Sequence, residues 1–434
     1  FGLNMGLFVE PGARWTSRAI AANIPYINVL FVNVAQAIIA VFLASDFMQR
    51  DRKLDTTEVI YARPISNGEY VTGKTLGIMV LFIGLVLTVL LMALTVNLII
   101  GDTPVVWQAY LLYPLLISVP TLLLILGLAF FLMILFRSQA VTFIVLLGYI
   151  GLTLFYFKDK MYGAFDYMAF HLPMVYSDFI SFADLQAILL QRTAYLLLGF
   201  GFIFATIRFM RRLPQTGKWN LVNLFAFIIF IAAGTYTGYT YYSGFHQQDE
   251  ARKHYLRLNN KFAGHPVADV VTNNLTVEQK GKGLVVTSEM IVRNPGTTPL
   301  DTLLFSLNPT FGIDSITVRG ARVEYLRNAQ LIRVIPEEAL GAGRRTSLQF
   351  HYRGIPDEAI AYLDISKRTR ASLKRINVAT IDKKPAIIDE NYLLLTRELL
   401  WYPLAGVGFN THTFQPAQPD FARFSLSVMA ERGL

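Results

Sequence analysis

The chain has 434 residues, of which 53% are hydrophobic and only 16% are charged, and its formal net charge is +9. Soluble domains carry about 25% charged residues, so this composition excludes an ordinary soluble globular protein. The chain contains no cysteine, which excludes disulfide bonds. Its positive charge is spread along the sequence, and we therefore expect no binding of nucleic acid.

Six apolar runs are long enough to cross a bilayer as helices. The predicted spans are Ile24–Ser45, Leu76–Ile100, Ala109–Phe136, Ala140–Phe157, Ile188–Ile207 and Leu221–Tyr241. In the short connecting loops, ten basic residues lie on one side and four on the other. The positive-inside rule then places the loop of residues 46–75 in the cytoplasm. Residues 1–23, the loop 158–187 and everything after the sixth span are expected to face outward.

A charged segment, residues 46–77, separates the first two spans and reads DFMQRDRKLDTTEVIYARPISNGEYVTGKTLG. Its middle predicts a short amphipathic helix, Leu54–Ala62, and the break RPIS follows. A second helix then begins near Glu69 and continues into the next span. The stretch Gly68–Lys74 has a passing likeness to a phosphate-binding loop, and we do not interpret it as an ATP site.

This layout resembles the coupling segment of type-2 ABC exporter permeases, in which a helix, a "(R)PIS" turn and a "GK.LG" motif lie between the second and third spans. The resemblance implies a permease subunit of the bacterial inner membrane, paired with itself or with a similar chain. It also implies one more span before Phe1. The chain itself would need no cofactor, because ATP and Mg²⁺ would bind to a separate ABC ATPase subunit.

The resemblance further implies which residues contact the ATPase. These are Asp51, Asp55, Glu58, Val59, Ile60, Arg63, Pro64 and Ile65. The charged members would engage a groove on the partner, and the apolar ones would insert into it. The alternative interpretation is an ordinary cytoplasmic loop with solvated charges.

The outward loop of residues 158–187 is rich in aromatic residues, which favours a pair of helices at the outer leaflet. Related exporters close their exit with a re-entrant helix pair at this point, and an amphipathic helix that only packs on the bundle is the alternative. The candidate exit-loop residues are Phe165, Asp166, Phe170, His171 and Tyr176. Beyond the loop, Arg192 is expected to extend its charge to the membrane surface.

From His246 the composition changes. Residues 246–266 predict a charged helical stalk, and from Val267 apolar and polar residues alternate. Strands are predicted at Leu284–Arg293, Thr302–Leu307, Ser315–Arg319, Arg322–Leu326, Leu331–Ile335 and Ser347–Tyr352. Pro, Gly, Asn and Asp separate these short strands, which indicates an antiparallel sandwich or an open barrel.

The segments "NPGTTPLDTLLFSLNPTFGIDSITVRG", "LGAGRRTSLQFHYRG" and "WYPLAGVGF" are similar to the N-terminal β-domain of gluzincin-class zinc aminopeptidases. In that family the zinc site needs His-Glu-x-x-His on a helix and a later Glu. No histidine of this chain has that spacing. Zinc is therefore expected only if a catalytic part exists beyond Leu434.

Together these patterns predict a polytopic α-helical membrane protein with a mostly-β, sandwich-like periplasmic domain, cut at both ends from a permease–aminopeptidase fusion. The expected parts are a transmembrane domain (1–245), a stalk (246–266) and a β-domain (267–434). The predicted function is ATP-driven export or ATP-driven motion of periplasmic protein partners. The alternatives are a membrane-anchored zinc aminopeptidase and a mechanical component that transports nothing.

Overall fold

In the computed structural model, the described residues are 21–53, 65–100, 103–157, 160–177, 180–210, 219–366, 369, 375–376, 379–380, 384–389, 392–409 and 422–429. The chain divides into two compact units. The first, called the membrane unit, comprises Phe1–Phe245 and Lys374–Asp382. The second, called the β-unit, comprises His246–Leu373 and Lys383–Leu434.

Six helices of the described chain are long and apolar enough to cross a membrane. They are α1 (Asn23–Lys53), α2 (Asn67–Ile100), α3 (Trp107–Phe136), α4 (Gln139–Tyr156), α5 (Leu185–Phe209) and α6 (Trp219–Phe262). The six predicted spans are confirmed. The helix predicted to begin near Glu69 and to continue into the second span is also confirmed, since α2 begins at Asn67. Helix α1 extends beyond the predicted Ser45 to Lys53, and α6 continues from the sixth span through the predicted helical stalk to Phe262 without a break.

The two prolines of α3 change its hydrogen bonding without ending the helix. Residues Pro114–Ser118 form a π-helical turn, in which the N–H of Val119 donates to the carbonyl of Pro114. Pro120 lies two residues beyond this turn and has no N–H to donate to the carbonyl of Leu116, four residues earlier. A π turn inside an α-helix marks a local departure from regular geometry, often at functional sites.

Glycines allow α3 and α5 to pack with their backbones almost in contact. A Cβ placed on Gly127 would lie 2.6 Å from the carbonyl oxygen of Gly199. A Cβ placed on Gly199 would lie 2.8 Å from the carbonyl carbon of Leu123. Close approach at small residues is a common way for helices to associate in membranes, where burial of apolar surface contributes little.

The described strands include both short strands of two-stranded hairpins and longer strands of the larger sheets. They are β1 (Tyr176–Ser177), β2 (Ser181–Phe182), β3 (Asp269–Lys280), β4 (Gly283–Arg293), β5 (Leu303–Ser306), β6 (Gly312–Val318), β7 (Ala321–Arg322), β8 (Glu324–Asn328), β9 (Leu331–Ile335), β10 (Arg345–Gly354), β11 (Arg375–Ile376), β12 (Ala379–Thr380), β13 (Ala386–Asp389), β14 (Tyr392–Leu395), β15 (Leu404–Ala405) and β16 (Arg423–Met429). The prediction for β9 is correct at both ends, and β4, β5, β6 and β10 overlap their predicted strands.

The described residues of the β-unit form two larger sheets that share one apolar core, and the two-stranded sheet β13–β14. A six-stranded sheet has the order β16-β3-β4-β10-β6-β7, and a four-stranded sheet has the order β15-β5-β9-β8. Their neighbours pair antiparallel, except for the parallel pair β16–β3. Phe305 of one sheet and Phe350 of the other are fully buried, with ring centres 5.2 Å apart. The sandwich-like architecture is therefore present, with one parallel pair that the sequence did not indicate.

Candidate functional site

The residues predicted to contact an ATPase lie mostly outside the described chain. These are Asp55, Glu58, Val59, Ile60, Arg63 and Pro64, and for Asp51 only its position in α1 is described. Ile65 is described and half-buried, directly before the start of α2. The contact with an ATPase thus stays a prediction, and the structure informs only on the junction between this segment and α2.

The start of α2 is fixed by a reciprocal capping box. The N–H of Ser66 donates to Oε2 of Glu69 at 2.7 Å, and the N–H of Glu69 donates to Oγ of Ser66 at 3.1 Å. Asn67 adds a tertiary bond, because its Nδ2 donates to the carbonyl of Met210 at 3.0 Å, just after α5. The pattern Ser-x-x-Glu was legible in the sequence as a helix start, whereas the bond to α5 had no sequence signal.

Residues Gly68–Thr75 (GEYVTGKT) have the full spacing of a phosphate-binding loop, so the likeness in sequence is closer than a passing one. The structure nevertheless assigns no ATP site to them. A phosphate-binding loop joins a strand to a helix, and its N–H groups surround the phosphates. In this protein the whole stretch lies within α2, and Nζ of Lys74 is 4.5 Å from the ring centre of Tyr70.

The loop between α4 and α5 is not built as predicted. In its described residues it contains a 3-10 turn at Met161–Gly163, irregular turns and the hairpin β1–β2, rather than a pair of helices or an amphipathic helix. Tyr162 and Ala169 adopt positive φ values of 56° and 55°, which no helix allows. The loop is rich in apolar residues because its centre is buried against the bundle, where Tyr167 is fully buried.

Arg192 of α5 binds the centre of this loop. Its side chain is only 2% exposed, so the expectation that it reaches the membrane surface is wrong. Nη2 donates to the carbonyl of Tyr167 at 2.9 Å and to Oγ1 of Thr121 at 3.2 Å, and Nη1 donates to Oε1 of Gln191 at 3.2 Å. Three of the five N–H donors of the Arg192 side chain thus have acceptors inside the bundle.

A fourth donor of Arg192 explains why an arginine is found at this position. Its Nε donates to the carbonyl of Leu116 at 2.9 Å. That carbonyl is the one that Pro120 leaves without its helical partner. A buried carbonyl without a donor destabilises a protein, above all where no water can reach it. Arg192 therefore supplies a donor to the free carbonyl in the irregular part of α3, and the same side chain binds the loop.

Two further polar residues complete the site. Nε2 of Gln191 donates to the carbonyls of Gly163 and Asp166 at 2.9 and 3.0 Å. Nδ2 of Asn33, on α1, donates to the carbonyl of Met168 at 2.8 Å. We call the four side chains that bind the loop the Arg192 cluster: Asn33, Thr121, Gln191 and Arg192. Polar residues inside apolar spans were the available signal, and among these four only Arg192 stood out in the sequence.

The candidate exit-loop residues fall into two groups. Asp166 is buried and accepts the N–H of His171 at 2.6 Å and that of Phe170 at 3.1 Å, so these three lie together. Phe165 is 41% exposed, and Tyr176 lies in β1, where its N–H donates to Oη of Tyr113 at 2.8 Å. Burial raises the pKa of the Asp166 carboxyl above its ordinary value, although His171 and the two N–H donors oppose that rise.

A metal centre is not apparent in the part of the chain that the structure describes. Within those residues, no group of three or more His, Cys, Asp or Glu side chains is placed to hold an ion. The zinc peptidase alternative thus continues to depend on a catalytic part outside this sequence, and no described contact favours it.

No family model matches the sequence, and no curated protein matches it. Solved structures with local similarity include an M1 zinc metallopeptidase from Deinococcus radiodurans and a mutant of a two-domain M1 zinc metallopeptidase bound to L-tryptophan. Each is 22% identical, with a TM-score of 0.20, and the match covers 22% of this chain and 22% of the other. This chain therefore spans about a fifth of their length, and a similarity of that size carries no argument about activity.

The helices and sheets together define a class of protein. Six apolar helices and an attached β-unit make this chain a membrane protein with a separate mostly-β part.

Proposed function

We propose that this chain is the permease subunit of an ATP-driven ABC exporter in the bacterial inner membrane, with ATP and Mg²⁺ bound to a separate ATPase subunit. The proposal starts from the resemblance of residues 46–77 to a coupling segment. The observation that carries it further is the joint at the end of this segment. Asn67 connects the first turn of α2 to the carbonyl of Met210, so a force on the segment would act on α2 and α5 together.

The faces of the helices suit a permease that pairs with a second copy or a similar chain. Only 6% of the most apolar window of α6 and 28% of that of α2 are buried, against 61% for α3. Exposed apolar side chains of this kind are able to contact either lipid or the apolar helices of a neighbouring permease chain. The proposed assembly is therefore two permease chains and two ATPase subunits in the bilayer, with the β-unit on the periplasmic side facing a substrate or a protein partner.

The contact with the ATPase can be tested in the coupling segment itself. Changing Glu58 and Arg63 together to Ala is expected to reduce the ATPase recovered with the purified chain at least tenfold, because both charges would leave the docking groove. The ATPase is quantified by mass spectrometry after purification in mild detergent. The matched control is Glu250→Ala with Lys253→Ala, an exposed ion pair of α6. Equal recovery with both double variants would contradict the docking site.

A second candidate function, transmission of movement to the β-unit without transport, is favoured by α6. This helix of 44 residues runs unbroken through the division between the units at His246. Its last turns are held inside the β-unit, since Nδ2 of Asn259 donates to the carbonyl of Phe409 at 2.7 Å and Nε2 of Gln330 donates to the carbonyl of Tyr255 at 2.7 Å.

Insertion of three glycines after Phe245 discriminates between the two functions, because it makes α6 flexible between the units. If the chain only transmits movement, the insertion should abolish every ATP-dependent change in protease sensitivity of the β-unit while ATP hydrolysis continues. The same insertion of three alanines keeps the helix and is the control. An ATP-dependent change that survives the glycine insertion would rule out transmission through α6.

A further inference from the structure

Hydrogen bonds connect both ends of helix α5 to other segments of the chain. We expect the segment at its C-terminal end to lie on the cytoplasmic side and the loop at its N-terminal end to face outward. At its C-terminal end, Nδ2 of Asn67 donates to the carbonyls of Met210 and Ile207 at 3.0 and 3.4 Å. At its N-terminal end, Gln191 and Arg192 donate to carbonyls of the α4–α5 loop. The helix has 25 residues, which corresponds to about 37 Å at 1.5 Å per residue.

The middle of α5 is packed closely against α3. The backbones of α3 and α5 meet at Gly127 and Gly199 with no space for a Cβ on either side. Packed interiors are close to incompressible, so such contacts have few arrangements between which to change. The described residues of α5 all have helical geometry, without a proline or a π turn of their own.

The N-terminal end of α5, in contrast, is bound to two irregular parts of the described membrane unit. Nε of Arg192 holds the carbonyl of Leu116 in the π turn and proline region of α3, and Nη2 holds the carbonyl of Tyr167 in the α4–α5 loop. One side chain makes both bonds. A shift of α5 by about one turn would therefore break both together, and it would release the loop and the irregular part of α3 at the same time.

We propose that α5 transmits force between the coupling segment and the α4–α5 loop, with Asn67 as its input and the Arg192 cluster as its output. This inference rests on the proposed function, because it requires an ATPase that displaces the coupling segment. It assigns a positioning role to Asn67, Gln191 and Arg192, because their hydrogen bonds are to acceptors within the chain itself. In this role they connect the place where force enters with the place where the loop opens.

The absence of cysteine allows a direct measurement. Lys160→Cys places a single thiol on an exposed residue of the loop, to which an environment-sensitive fluorophore is attached. The complex with its ATPase is reconstituted in lipid nanodiscs, and the fluorescence change on addition of Mg-ATP is recorded beside the rate of ATP hydrolysis. Asn67→Ala and, separately, Gln191→Met are expected to reduce the fluorescence change at least fivefold while ATP hydrolysis continues.

Thr88→Ala is the matched control, because Thr88 also lies on α2 and donates to a carbonyl, but to that of Gly84 in its own helix. It should leave the fluorescence change as in the parent chain. Asn67→Ala and Gln191→Met remove bonds at opposite ends of α5. A loss of the fluorescence change in both variants therefore cannot be a local effect on the contact with the ATPase. A full fluorescence change in Gln191→Met overturns transmission through α5 and leaves the exporter proposal intact. Absence of any ATPase from the parent complex overturns both.

Discussion

Replacement of Arg192 by methionine is expected to lower the unfolding temperature of the membrane unit clearly below that of the parent chain. The carbonyl of Leu116 would lose the donor Nε, and the carbonyl of Tyr167 would keep only Oγ1 of Thr121 of its two side-chain donors. A buried group left without a partner costs about 1–3 kcal/mol. Methionine fills much of the same volume without any donor, so the effect reports on hydrogen bonding rather than on a cavity. Thermal unfolding in detergent, followed by tryptophan fluorescence, is the measurement.

Two control variants make the result specific. Arg257→Met removes an exposed arginine of α6, whose Nε donates only to the carbonyl of Lys253 in its own helix, and should leave the unfolding temperature nearly unchanged. Arg192→Lys keeps the charge but lacks the planar fork that reaches several acceptors, and it should fall between the parent and Arg192→Met. An Arg192→Met chain as stable as the parent would show that the cluster does not hold the loop.

Replacement of Gly199 by alanine is expected to destabilise the membrane unit, although alanine favours helices. The added Cβ would lie 2.8 Å from backbone atoms of Leu123 and Leu124, and backbone cannot rotate away as a side chain can. Overpacking of this kind costs about 1–3 kcal/mol. The same unfolding measurement applies, and the helices α3 and α5 would have to separate to accommodate the new methyl group.

Gly148→Ala, in contrast, is expected not to destabilise the membrane unit. No atom lies within 4 Å of a Cβ on Gly148 in α4, so the substitution should be neutral or stabilise the helix by about 0.5–1 kcal/mol. The two Gly→Ala changes therefore have opposite signs in one molecule. If both raise the unfolding temperature, the close contact between α3 and α5 does not exist as described.

The parts of this fold that follow from local patterns were predictable. The spans follow from apolar runs longer than a bilayer requires, and β4 and β9 follow from the alternation of apolar and polar residues. The helical turns before the second span and the helical stalk after the sixth were predicted as well, and the capping residue Ser66 with Glu69 three positions later marks the start of α2. The unbroken passage of α6 from span to stalk was not predicted, because the change from apolar to charged residues near His246 indicated a boundary.

The Arg192 cluster was beyond local prediction. Arg192 is buried because of a carbonyl that Pro120 frees on another helix, and because the loop offers the carbonyl of Tyr167 nearby. Both acceptors are backbone carbonyl oxygens distant from Arg192 in the sequence. Every residue has such a carbonyl, so the type of residue does not reveal which carbonyl will accept a bond. For the same reason the sequence of the apolar α4–α5 loop favours helices, at the outer leaflet or packed on the bundle, whereas the described loop is irregular and its centre is buried.

The bond between Asn67 and Met210 matters for the proposed function. If an ATPase displaces the segment between α1 and α2, the capped start of α2 is expected to move, and through Asn67 the end of α5 is expected to move with it. In the proposed permease the nucleotide would bind to the separate ATPase subunit; residues Gly68–Thr75 lie within α2. Whether the β-unit responds through α6 is a separate question that the glycine insertion decides.

The most direct test of the central claim is purification of the intact protein from its native membrane in mild detergent, with mass spectrometry of every chain that co-elutes. We predict a P-loop ATPase in stoichiometric amount, together with hydrolysis of Mg-ATP in the same fractions. A pure and well-folded chain that elutes without an ATPase and without hydrolysis of ATP would contradict the exporter proposal.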